Sequence, residues 1–226
     1  MIFNRKKCIC ILLLFSLWSI PVFSQGFFSN RRSVSVDVEA PASQHRGPVT
    51  ALVYDEDKNI LLSAGTDGYI VMWDLNKTEA KERFQISPYS IVSMALRPGM
   101  SELAVVESDG YGLYRISAWD YLEKKKLFTL IFRDPISYLT YSASGSFLIA
   151  SRSARTGVVF IDPSNGQLRQ SPNDLSGPLH FIATGKSERT MICYSGQGIL
   201  SYWNLENGRE IKQLSVLPDL ESPILF

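Results

Sequence analysis

Three places in this 226-residue chain hold residue types able to do chemistry. The first is Thr184-Gly185-Lys186-Ser187, which resembles the end of a phosphate-binding loop. That loop needs a glycine five residues before the Gly-Lys pair and a strand-loop-helix setting. Here the place holds His180, and the segment lies between two apolar runs. A hairpin turn is the better reading. The second place is the pair of histidines, His45 and His180. A general base or a metal site needs partners at ligand spacing, and neither histidine has a second His or Cys there. The third is Tyr194-Ser195-Gly196-Gln197-Gly198, which lacks the glycine two residues before the serine of a nucleophile elbow. Cys193 beside it reads as a small core hydrophobe. Asp67 and Asp109 precede turn glycines, so turn chemistry accounts for them. Lys124-Lys125-Lys126 reads as a solvated hairpin tip. Asn76-Lys77-Thr78 fits a glycosylation sequon, a weak signal. No catalytic, metal or cofactor set emerges, and the chain reads as non-enzymatic.

The elements behind these residues form a repeat. One short apolar strand recurs with anchors Val49, Ile91, Ile136 and Leu179, spaced 42, 45 and 43 residues apart. Pro48, Pro135 and Pro178 directly precede three of these anchors, where a missing N–H does no harm to a ladder. A second strand recurs at 60–63, 103–106, 147–151 and 190–193. Turns then follow at Thr66-Asp67-Gly68, Ser108-Asp109-Gly110, Arg155-Thr156-Gly157 and Gly196-Gln197-Gly198, where glycine supplies positive φ. The third strand ends Met72-Trp73-Asp74 in copy one and Tyr202-Trp203-Asn204 in copy four. In copy three it ends Phe160-Ile161-Asp162, without the tryptophan. In copy two Trp119-Asp120 falls about four residues late, which predicts a bulge or a longer third strand. A period of about 40–45 residues with four short strands marks a β-propeller blade.

These copies resemble the WD40 repeat family from His45 to Pro218. The resemblance implies an all-β fold, a β-propeller of four-stranded antiparallel blades. It also implies a hydrogen-bonded tetrad in copy one, made of His45, Ser63, Asp67 and Trp73. Such a tetrad solves a burial problem, because each polar group under a blade must find a partner. Gln44 replaces the glycine of the family's Gly-His pair, and copies two to four have no histidine at the matching place.

The expected blades cover about 45–87, 88–131, 132–175 and 176–218, and residues 219–226 repeat the opening of another. Ile224 lies 45 residues after Leu179. The reading is therefore a partial or open ring: a piece of a longer propeller, or a half ring that self-associates. Residues 25–44 read as a leader holding an alternating strand over 33–39, suited to closing a ring.

Residues 1–24 read as a signal peptide. Arg5, Lys6 and Lys7 precede the apolar run from Cys8 to Trp18, and Val22-Phe23-Ser24 suits cleavage before Gln25. The expected location is periplasmic or extracellular. Without residues 1–24 the chain carries 20 basic and 22 acidic residues, a net charge of −2. That balance predicts no general attraction for nucleic acid or anionic membrane. Cys193 alone then remains, so no internal disulfide is available. The functional expectation is a scaffold that binds a protein or peptide outside the cytoplasm. Tyr89, Tyr111, Tyr121, Arg152 and Arg155 are the candidate contact residues, being aromatic or Arg in loops. The alternative is the propeller part of a larger enzyme, such as a peptidase, with its catalytic domain beyond residue 226.

Overall fold

A computed structural model describes residues 44–153, 157–172, 175 and 177–216. Among them lie sixteen strands and no helix, arranged as four antiparallel sheets of four strands each. The first sheet holds β1 (Val49–Asp55), β2 (Ile60–Gly65), β3 (Tyr69–Asp74) and β4 (Glu79–Gln85). The second holds β5 (Ser90–Leu96), β6 (Glu102–Ser108), β7 (Tyr114–Asp120) and β8 (Lys125–Phe132). The third holds β9 (Ile136–Tyr141), β10 (Leu148–Arg152), β11 (Val158–Ile161) and the two-residue β12 (Leu168–Arg169). The fourth holds β13 (Leu179–Thr184), β14 (Thr190–Ser195), β15 (Ile199–Asn204) and β16 (Arg209–Ser215). Within each sheet the order follows the chain. Inner strands β1, β5, β9 and β13 adjoin in sequence, so each blade packs on the next, and the four do not close a ring. This is a partial β-propeller. The ring-closing strand expected over 33–39, the signal peptide and the blade opening at 219–226 lie outside the described residues.

Why the chain turns where it does is visible four times over. Each third strand ends in Asp or Asn or, for β11, is followed directly by Asp162, and that side chain accepts from the backbone N–H two residues on. The pairs are Asp74 with Asn76 (3.0 Å), Asp120 with Leu122 (3.0 Å), Asp162 with Ser164 (2.9 Å) and Asn204 with Glu206 (2.8 Å). Four residues after that Asp or Asn the backbone takes positive φ, at Thr78, Lys124, Gly166 and Gly208. These Asx turns set each outer strand antiparallel to the third. The same ruler explains the late Trp119-Asp120. β6 and β7 pair in unbroken register from Glu102↔Asp120 to Ser108↔Tyr114. The extra residues lengthen the hairpin tip at 109–113, so there is no bulge between these strands.

The core lies between blades. Ile60, Leu62, Ile70 and Met72 of the first pack on Ile91, Leu103 and Val105 of the second. Ala104, Val106 and Ile116 of the second face Leu148, Ala150 and Ile161 of the third. Ile149, Val158 and Phe160 of the third face Met191, Cys193 and Trp203 of the fourth. Cys193 is wholly buried, and burial pushes its thiol pKa up to about 12, which suits a packing role. Val49 and Leu52 on the first blade and Ile192 and Tyr202 on the fourth are exposed.

Polar bonds lock each seam. Thr50 Oγ1 donates to the Ile91 carbonyl at 2.6 Å, and Ser137 Oγ donates to the Leu179 carbonyl at 2.9 Å. Tyr121 Oη of blade two donates to Asp55 Oδ2 of blade one at 2.6 Å. Tyr141 Oη of blade three donates to Glu102 Oε1 of blade two at 2.7 Å. Between blades three and four, Glu188 accepts from the Ser144 N–H at 3.0 Å and from the hydroxyls of Ser144 and Ser146. Burial alone would raise the Glu188 pKa, but the hydroxyls of Ser142, Ser144 and Ser146 and that N–H hold it down to about 2, from an ordinary 4.5. A carboxylate with a depressed folded pKa adds stability that is full above its unfolded pKa and is lost as pH falls through the folded one. This seam therefore weakens between about pH 4.5 and pH 2. The melting temperature of Glu188→Gln should fall less steeply over that window than that of the parent; parallel acid branches would refute the assignment.

Candidate functional site

The turns that carry most of the singled-out residues share one end of the sheets. Ser90 at the start of β5 pairs with Ser108 at the end of β6, so the linker at 86–89 and the hairpin tip at 109–113 are neighbours. By the same topology the β2–β3 turn at 66–68 belongs to this end.

In blade one a chain of hydrogen bonds runs beneath it. Trp73 Nε1–H donates to Ser63 Oγ at 2.9 Å. Ser63 Oγ lies 2.9 Å from His45 Nε2, and His45 Nδ1 lies 3.1 Å from Asp67 Oδ1. A carboxylate only accepts, so Nδ1 carries the proton and Nε2 accepts from the serine. Asp67 also accepts from the N–H groups of Arg46 (2.8 Å) and Tyr69 (3.2 Å). Arg83 Nη2 reaches it at 3.3 Å, with the guanidinium 3.6 Å above the Tyr69 ring. Burial works to raise the Asp67 pKa, but these N–H groups and His45 outweigh it and hold it low. Gly65 is required here, because a Cβ would meet His45 Nδ1 at 2.8 Å and Asp67 Oδ1 at 2.9 Å. Every member of this group is tied to another, and its geometry is that of a structural clamp.

Blade two builds the same clamp from different residues, which sequence reasoning missed. Ladder register places Glu107 opposite Ile91, as Gly65 stands opposite Val49. Ser87 takes the place of His45, two residues before Tyr89 as His45 is before Gly47. The smaller side chain leaves room for a glutamate where blade one needs glycine. Glu107 Oε2 accepts from Ser87 Oγ at 2.6 Å, and Oε1 accepts from Ser117 Oγ. Trp119 Nε1–H donates to Ser117 Oγ at 3.0 Å. The hydroxyl has crossed the ladder: Ser63 pairs with Val71 in blade one, and Val105 pairs with Ser117 in blade two. Blade four does likewise, with Ser201 opposite Cys193 and Trp203 Nε1–H donating to Ser201 Oγ at 2.8 Å. A Ser-x-Trp spacing at 117–119 and 201–203 was the available signal.

The expected contact residues fare differently. Tyr121 is fully buried and donates to Asp55, so it is no surface contact. Its place after Asp120 in a turn suggests exposure, but the side chain runs under the neighbouring blade. Tyr89 is half-buried beneath the Arg115 guanidinium, 4.2 Å from its ring centre. Arg152 pairs with Asp134 at 3.3 Å and lies over Phe132. Arg155 lies outside the described residues. Tyr111 alone of the described candidates stands free, at 95% exposure. Its loop is braced: Asp109 Oδ1 accepts from the N–H groups of Tyr111 (2.8 Å) and Leu113 (3.0 Å). The Tyr111 N–H, more than any other group, holds the Asp109 pKa below the carboxylate range. Gly110 and Gly112, both at positive φ, flank the ring.

The residues that suggested chemistry are otherwise engaged. Thr184 ends β13, and Gly185 N–H donates to the Thr190 carbonyl, closing a hairpin. His180 is exposed on β13. Among the described residues no group of three or more His, Cys, Asp or Glu could hold a metal ion.

Comparison with known proteins agrees with the geometry. A family profile described as an N-terminal β-propeller domain matches residues 28–226. A Treponema pallidum (strain Nichols) protein named only "Uncharacterized protein" is 27% identical over 180 residues, 80% of this chain and 29% of its own. Transducin beta-like protein 3 of Bos taurus is 24% identical over 185 residues, 73% of this chain and 22% of its own. Small ribosomal subunit protein RACK1 of Candida albicans is 27% identical over 117 residues, 50% of this chain and 37% of its own. The chain thus spans well under half the length of these three relatives.

Proposed function

We propose, from the premise that the chain belongs to the WD40-like N-terminal β-propeller domain family, that it is a non-enzymatic scaffold which docks a protein or peptide outside the cytoplasm. Propellers of this kind are interaction scaffolds, and the loop end is where such a fold presents variable side chains on a rigid support. Tyr111 is the observation that carries the reading. A large aromatic held fully in solvent by a braced hairpin has little conformational entropy left to lose on binding. At 95% exposure its ring is not part of the packing among the described residues. The apolar start at residues 1–24 supports placement beyond the membrane.

The test uses the mature chain and Tyr111→Ala side by side on an extracytoplasmic extract. Removing an exposed side chain should leave stability within about 0.5 kcal/mol. Loss of an aromatic anchor should weaken a partner by about 2 kcal/mol, roughly 30-fold. A protein captured by the parent and lost with Tyr111→Ala supports the proposal. Identical captures by both, or none by a folded parent, would reject it.

A further inference from the structure

We infer that blade four holds a binding pocket for a guanidinium group, the side chain of an arginine in a partner polypeptide. The pocket is the clamp of blade one with its contents removed. Register aligns the two blades: Leu179 faces Ser195 as Val49 faces Gly65, and Ser201 faces Gln213 as Val71 faces Arg83. By that alignment Leu175 stands where blade one has His45, Gln197 where it has Asp67, Ile199 where it has Tyr69, and Gln213 where it has Arg83. Each replacement is uncharged, and neither Ile199 nor Gln213 reaches as far as the phenol and guanidinium it replaces. A cavity of about 440 Å³ results, lined by these residues together with Trp203 and Glu210.

The lining states what would fill it. The Ser195 hydroxyl is buried without a hydrogen-bond partner. Ser201 Oγ receives the indole N–H and keeps a lone pair for a second donor. Glu210 supplies a carboxylate at the rim, and among the described residues no Lys or Arg lines the cavity. Gln197 and Gln213 can each offer a carbonyl oxygen. The site is thus rich in acceptors and carries negative charge beside Trp203. A planar cation with several N–H donors satisfies all of these at once. Blade one supplies its own such cation at this position, with Arg83 against Asp67 and over Tyr69. Among the described residues blade four has Gln213 in place of that cation, so the position can take one from outside.

The inference builds on the scaffold reading, but its test is separable, because it uses an isolated side-chain probe and needs no partner. N-acetyl-arginine amide would be titrated into the mature chain, following intrinsic tryptophan fluorescence and calorimetry. N-acetyl-citrulline amide, the neutral isostere, is the control. The arginine probe should bind saturably and about tenfold or more tighter than citrulline, the size of one charge-assisted contact. Glu210→Gln, on an exposed outer strand, should erase that preference without changing the melting temperature. The double variant Gln197→Asp, Gln213→Arg rebuilds the blade-one pair and should abolish binding. Absence of saturable arginine binding to the parent, equal affinity for citrulline, or an undiminished preference in Glu210→Gln would each overturn the assignment.

Discussion

Replacing Glu107 with alanine should destabilise the protein by about 3–5 kcal/mol, the usual cost of breaking a buried charge pair from one side. Glu107 is 2% exposed. It accepts from two hydroxyls, Ser87 at 2.6 Å and Ser117. Arg115 Nη2 lies 3.1 Å away but off the hydrogen-bonding direction, so that contact is a charge pair and not a directed bond. Alanine would leave the guanidinium over Tyr89 without its counter-charge and two hydroxyls without an acceptor. Ser117 would still accept from Trp119, so the indole keeps its bond and the blade keeps its shape. Against a typical total of 5–15 kcal/mol, the loss is a large fraction of the protein's stability. Urea denaturation read by tryptophan fluorescence gives the number directly. A cost under about 1 kcal/mol would mean that the cluster is solvated and not the clamp described above. Glu107→Gln separates charge from shape. It preserves an acceptor for one hydroxyl, and its cost should fall near the 1.5–3 kcal/mol of a hydrogen bond to a charged group.

That cluster also marks the boundary of what the residue order alone conveys. The four-fold strand period was legible because each blade must begin with an apolar inner strand and end its third strand in an Asx turn. Val49, Ile91, Ile136 and Leu179 and the series Asp74, Asp120, Asp162 and Asn204 are fixed by backbone geometry, so they recur at readable spacing. The clamp is fixed only by mutual satisfaction of polar groups. A hydroxyl can sit on either strand of a register pair and still reach the same indole, as Ser63 and Ser117 do. A carboxylate can come from the turn, as Asp67 does, or from the strand, as Glu107 does, provided that the histidine shrinks to serine. Searching for histidine therefore finds one clamp and passes over the other. The emptied clamp of blade four is less visible still. It consists of residues absent from their places, and those places are known only from the ladder register.

Tyr121 shows how turn position misleads about burial, and its replacement by alanine should cost about 3–5 kcal/mol, as for other large buried aromatics. The residue follows Asp120 in the β7–β8 turn, yet none of it is exposed. Its N–H donates to the Ser101 carbonyl at 3.0 Å, which turns the ring under blade one among Leu62 and Met72. There the hydroxyl meets Asp55, itself 3% exposed and paired with Lys58 at 2.8 Å. Tyr121→Phe isolates the hydroxyl. It keeps the ring and removes one donor from a buried carboxylate, for an expected cost of about 1–3 kcal/mol. The pH dependence tells the two parts of the seam apart. Burial alone would raise the Asp55 pKa, but the hydrogen bonds of Lys58 and Tyr121 outweigh it and set it below the ordinary 3.8. Stability from a depressed carboxylate is full above that ordinary value and is lost as pH falls through the folded one. Without the tyrosine hydroxyl the folded pKa moves back up, so Tyr121→Phe should lose less stability than the parent on acidification below about pH 4. Both proteins would be compared by urea midpoint at pH 7 and pH 3. If there is no gap at either pH, Tyr121 joins blades one and two through its ring alone; a gap of equal size at both means that the hydroxyl contributes regardless of the charge on Asp55. A gap that narrows at pH 3 assigns the difference to the charged form of Asp55, which accepts the phenol's hydrogen bond more strongly than the protonated acid does.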